Sequence, residues 1–115
     1  MTTTEKTSAE ILRETCKSTA EEWANLDVLM DALEVDEDER GAYAALETAL
    51  DIVDYSRNGQ WLGSRIAVCL GGPGIWVDTY AEEVVGVWGS DKVVVPLVVD
   101  EFILDALEET FDYRK

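Results

Sequence analysis

Arg65-Ile66-Ala67-Val68-Cys69-Leu70-Gly71-Gly72-Pro73-Gly74-Ile75-Trp76-Val77-Asp78-Thr79 is the stretch that decides the fold. Its first six residues alternate, with Ile66, Val68 and Leu70 on one strand face and Arg65, Ala67 and Cys69 on the other. Gly71, Gly72, Pro73 and Gly74 then supply turn chemistry, since proline presets φ and glycine reaches conformations closed to other residues. The chain reverses there and resumes as a second strand over residues 75–79. Continuing outward, residues 84–89 and 92–97 are short and rich in β-branched or aromatic side chains. The spacing predicts a four-stranded antiparallel meander from about residue 61 to residue 97.

On the N-terminal side the period becomes helical. Leu12, Cys16, Thr19, Trp23, Leu26, Met30 and Leu33 alternate steps of four and three, which puts them on one face of a long helix with a possible break at Asn25. Thr7 and Glu10 have capping-box spacing at its start, with Ser8 as a rival cap. Asp36 and Glu39 repeat that spacing, so a second helix is expected from Asp36, carrying Tyr43, Leu46, Ala49, Leu50 and Val53 and stopping near Arg57, before Asn58-Gly59. A last helix is expected from about Asp100, with Phe102, Ile103, Ala106, Leu107 and Phe111 as its apolar content. The expectation is one α+β domain over residues 1–115, with a frayed polar end at residues 1–7 and all helices on one sheet face.

Charge limits the function. The chain carries 25 Asp and Glu against 9 Lys and Arg, no histidine and a formal net charge of −16. Direct nucleic-acid binding is disfavoured, because it rests on cations that neutralise phosphates. The expected partner is a basic protein or nucleoprotein surface. A 47% hydrophobic content argues against disorder, which needs low hydrophobicity together with high charge. Cys16 and Cys69 do not form a disulfide framework and read as buried thiols. The N-terminal residues lack the order of a signal peptide and no apolar run is long enough for a membrane span, so a cytoplasmic location is expected.

No catalytic, cofactor or metal signature emerges. Gly71, Gly72 and Gly74 lack the lysine and spacing of a phosphate-binding loop and suit a hairpin turn. Asp36, Glu37, Asp38 and Glu39 lack the alternating ligands and central glycine of a calcium loop. Ser64 and Ser90 have no recognisable base. A non-enzymatic role is therefore expected, with no cofactor. The candidate partner-binding residues are the acidic run Asp36, Glu37, Asp38 and Glu39, together with Trp76, Asp78 and Trp88. On an alternating strand Trp76 and Asp78 point away from Ile75, Val77 and Thr79, and Trp88 sits opposite Val85 and Val87. Trp76 and Trp88 either join across the hairpin as an exposed aromatic patch or form the core, since alternation alone does not say which face is buried.

Residues 68–79 and 84–91, with their Gly-Gly-Pro turn, Asp-Thr strand end and Gly-x-Trp-Gly strand, resemble small proteins of phages and mobile elements. In size, acidity and α+β character the chain also looks like anti-CRISPR proteins. That resemblance implies a phage or mobile-element inhibitor that binds a host nucleic-acid-binding immune complex, such as a CRISPR effector complex, and blocks its access to nucleic acid; the charge by itself fits either helix-face carboxylates that stand in for phosphates or a merely acidic soluble protein. The alternative is a small adaptor or immunity-type protein that binds one protein partner through an aromatic sheet face.

Overall fold

The computed structural model describes residues 6–34 and 41–114. Among these residues the order is α1 (Ser8–Trp23), α2 (Leu26–Ala32), α3 (Ala42–Glu47), β1 (Asp51–Arg57), β2 (Gln60–Cys69), β3 (Gly74–Asp78), β4 (Glu83–Trp88), β5 (Asp91–Pro96) and α4 (Glu101–Arg114). The strands form one antiparallel sheet in sequential order, so the α+β class holds and the meander has five strands rather than four.

The additional strand comes from a segment expected to be helical. Helix α3 ends at Glu47, and residues 51–57, assigned above to the end of the second helix, pair with β2. Ile52, Val53 and Tyr55 favour a pleated, half-buried surface over a helix. Asn58 and Gly59 both have positive φ, 53° and 80°, and close a two-residue hairpin in which Arg57 faces Gln60. Asn-Gly here is a hairpin turn with the twist that matches its strands, not a helix terminus. The expected helix start at Asp36 lies outside the described residues.

The N-terminal periodic run is likewise divided. Thr7 caps α1, its hydroxyl accepting from the Glu10 amide at 3.2 Å. Asn25 then takes an extended conformation and its Oδ1 accepts from the amides of Asp27 (3.0 Å) and Val28 (3.4 Å), starting α2. Asp100 links three elements. Its Oδ1 accepts from the Phe102 amide at the start of α4, its Oδ2 accepts from the Leu26 amide at the start of α2 (2.8 Å each), and its own amide donates to the Trp23 carbonyl.

Ile66, Val77, Val84 and Val95 face one another across four strands and are buried with Leu12, Cys16, Ile103 and Leu107. This is the sheet face that the helices cover. Helix α1 packs tightly over Gly86, where an added Cβ would lie 2.5 Å from Cys16 Sγ and 2.8 Å from a Leu12 methyl. A register shift at Val68 breaks the simple alternation, so that Cys69 pairs with Ile75 and lies on the helix side instead of sharing a face with Arg65 and Ala67. Cys69 is half-buried and Cys16 fully buried, both as free thiols. Among the described residues no helix is long and apolar enough to cross a membrane.

Candidate partner-binding surfaces

Two surfaces stand out, on opposite layers of the fold. The first is the sheet face that no helix among the described residues covers. Strand register lines up Asp51, Ala67, Trp76, Val85 and Val94 in one row, and Val53, Arg65, Asp78, Glu83 and Pro96 in the next. Trp76 lies along its strand over Gly74, where an added Cβ would meet the indole at 2.6 Å. The Arg65 guanidinium stands 4.9 Å from the Trp76 ring centroid, a cation–π contact. Ala67 and Val85, which flank Trp76 on neighbouring strands, are buried, whereas Val53 and Val94 are 52% and 44% exposed.

Asp78 organises the corner of this face. Its Oδ1 accepts from the amides of Tyr80 (3.0 Å) and Ala81 (2.9 Å), and its Oδ2 accepts from the Tyr55 hydroxyl at 3.2 Å. The Tyr55 and Tyr80 rings are 5.6 Å apart, and the Tyr80 backbone sits so close over Gly63 that no side chain fits there. Burial, then the Asp78 carboxylate, pushes the Tyr55 hydroxyl above its ordinary pKa. Asp78 is therefore a structural acceptor as well as a surface charge.

Trp88 does not join Trp76. Trp76 pairs with Val85, so Trp88, which shares a strand face with Val84 and Gly86, lies on the helix side and packs against the core. The shared aromatic patch is thus not formed: one tryptophan belongs to the open sheet face and the other to the interior. Asp36, Glu37, Asp38 and Glu39 lie outside the described residues.

The second surface is helical. Glu101, Asp105, Glu108 and Asp112 stand four, three and four residues apart on α4, all exposed, opposite buried Ile103, Ala106, Leu107 and Phe111. At about 1.5 Å rise per residue this acidic row is roughly 16 Å long. The one cation of α4, Arg114, is turned inward. Its guanidinium holds the Asp54 carboxylate through two bonds of 2.8 Å and donates to the Leu107 carbonyl. Asp54 also accepts from the Ser64 hydroxyl, which in turn accepts from the Trp61 indole. Burial opposes ionisation of Asp54, but the Arg114 and Ser64 hydrogen bonds outweigh it and hold the carboxyl below its ordinary pKa. On α1 the corresponding row of Glu10, Glu14 and Glu21 is interrupted by Lys17, and Lys6 pairs with Glu14 at 2.9 Å. Sequence reading placed the acidic signal at residues 36–39. The α4 row was equally legible from its spacing, and Arg65 from its position opposite Asp78.

Among the described residues no group of three or more His, Cys, Asp or Glu side chains could hold a metal ion. Comparison with protein families, curated proteins and solved structures finds no match.

Proposed function

We propose that this protein is a non-enzymatic inhibitor that presents the α4 carboxylates to a basic nucleic-acid-binding surface in place of phosphates. The observation that carries this reading is the row Glu101, Asp105 and Glu108 exposed on one face of α4, with the only cation of that helix withdrawn into the Asp54 pair. Duplex DNA offers one negative charge per about 1.7 Å of axis. A helix face with a carboxylate at each turn supplies a sparser row on a rigid support, and the net charge of −16 adds long-range attraction for a basic partner. The anti-CRISPR resemblance narrows that partner to a nucleic-acid-binding host defence complex in the host cytoplasm, which the protein inhibits by occupancy.

A second reading is favoured by the open sheet face, where Trp76 under Arg65 offers an aromatic anchor of the kind that dominates many protein interfaces. On this reading the protein is an adaptor, and its acidity serves solubility. Affinity capture from a nuclease-treated bacterial lysate separates the two. The inhibitor reading expects a basic nucleic-acid-binding protein that is released by added duplex DNA and lost with the triple variant Glu101→Gln, Asp105→Asn, Glu108→Gln. Retention by that variant with loss on Trp76→Ala would replace it with the adaptor reading.

A further inference from the structure

A cavity of about 450 Å³ lies between α1 and the strand ends that flank the Gly-Gly-Pro turn, away from both surfaces described above. Its volume falls in the range of small-molecule sites, roughly 300–1,000 Å³. Buried Leu12, Trp23, Leu29 and Ile75 line its interior, Trp88 and Val68 contribute further apolar wall, and Ile11, Thr15 and Glu22 reach the solvent side.

The hydroxyl and thiol hydrogens of the lining are committed within the protein, while the indoles of Trp23 and Trp88 bring N–H donors of their own. The Thr15 hydroxyl donates to the Ile11 carbonyl, Thr19 to Thr15, Thr48 to Ala45, and the Cys69 thiol to Pro73. These hydrogens are committed to backbone oxygens, so the same hydroxyl oxygens can act toward a ligand only as acceptors. Glu22 adds a carboxylate that has no hydrogen-bond or ion-pair partner among the described residues. Burial, then the adjacent Glu21, pushes its carboxyl above the ordinary value, as expected for a partly buried carboxylate beside a like charge.

We propose that this cavity is a binding site for an organic amine with an apolar body, its ammonium group held by Glu22 and its hydrocarbon seated among Leu12, Trp23, Leu29, Ile75 and Trp88. The chemistry follows from complementarity. An ammonium supplies both the positive charge that Glu22 lacks and the donors that the threonine oxygens can accept, while the aromatic and aliphatic wall removes the body of the ligand from water. A carboxylate ligand would meet Glu22 and the negative field of the whole chain. A neutral ligand would bury its body but leave Glu22 without a partner.

The test uses three probes that share a body: phenylbutylamine, phenylbutanol and phenylbutyrate. They are titrated at neutral pH into the 115-residue chain while the indole signals of Trp23 and Trp88 are followed by NMR. The amine is expected to shift both signals and to bind about tenfold more tightly than the alcohol, with the acid weakest. Glu22→Gln is expected to bring the amine to the affinity of the alcohol, whereas Glu21→Gln, one residue away and outside the cavity, leaves the preference intact. Equal binding of amine and alcohol by the unaltered protein would overturn the proposal, and that comparison needs no variant to fold. An equal loss in Glu21→Gln, or amine-induced shifts confined to other residues, would reduce the effect to attraction by the overall charge and overturn it as well.

Discussion

Single side chains explain how an acidic chain keeps its C-terminal helix seated. Arg114 and Asp54 are 19% and 10% exposed, and together they anchor the last turn of α4 to β1. Asp54→Asn would leave the guanidinium without its charge partner, and breaking such a pair is expected to destabilise the protein by about 3 kcal/mol. Because the folded carboxyl lies below its ordinary pKa, its contribution is full above the unfolded value of about 3.9 and disappears as pH falls through the lower folded value. Urea unfolding of both proteins at several pH values should therefore show a gap that is constant near neutrality and closes at strongly acidic pH. A gap that widens on acidification would contradict this account. Gly86 tests the contact between α1 and β4. Gly86→Ala places a methyl against Cys16 and Leu12, in space that neither can vacate without moving the helix, and should lower stability by about 1–3 kcal/mol. Thermal unfolding at an unchanged midpoint would show that the helix is not held there.

At the scale of elements, α4 combines a buried face suited to the core with a charged face poorly suited to a helix. Glu101 and Asp105, and Glu108 and Asp112, are like charges four residues apart, an arrangement that destabilises a helix by a few tenths of a kcal/mol per pair. Glu101 in the first turn recovers part of this through the helix dipole. The triple α4 variant should consequently be as stable as the unaltered protein or slightly more so, by less than about 1 kcal/mol in calorimetry at low salt. Marked destabilisation would assign the row a structural role. The elements were unevenly legible in the sequence. The caps at Thr7 and Asp100, a break at Asn25 and the C-terminal strands could be read directly, because capping side chains and period-two alternation are local signals, whereas the role of Asn25 as the cap of a separate helix was not read. β1 was missed because Tyr43, Leu46, Leu50 and Val53 also fit a helical period, and only the Asn-Gly hairpin, closed by pairing with β2, decides between them. The placement of Cys69 and Trp88 depends on a bulge and on which face α1 chooses, both fixed by tertiary packing.

The whole molecule is organised as two unlike layers. The helix layer carries the exposed carboxylates of α1, α2 and α4, while the open sheet face mixes Asp51, Asp78 and Glu83 with Arg65, Lys92 and apolar side chains. On the proposed reading a basic partner would be attracted chiefly to the helix side, whereas the sheet face would suit a partner chosen by shape and aromatic contact. The acidity and the α4 row were legible from composition and spacing, but the withdrawal of Arg114 from that helix surface into the Asp54 pair was not, because it depends on tertiary packing. The most direct test of phosphate substitution is the rate at which the captured basic partner associates with the unaltered protein and with the triple α4 variant, measured by stopped flow from low to physiological salt. The unaltered protein should associate with a rate that falls steeply as salt rises, and the variant should be about tenfold slower at low salt with a flatter dependence. Equal rates and equal salt dependences for the two proteins would contradict the account and leave the α4 carboxylates as solubilising charge.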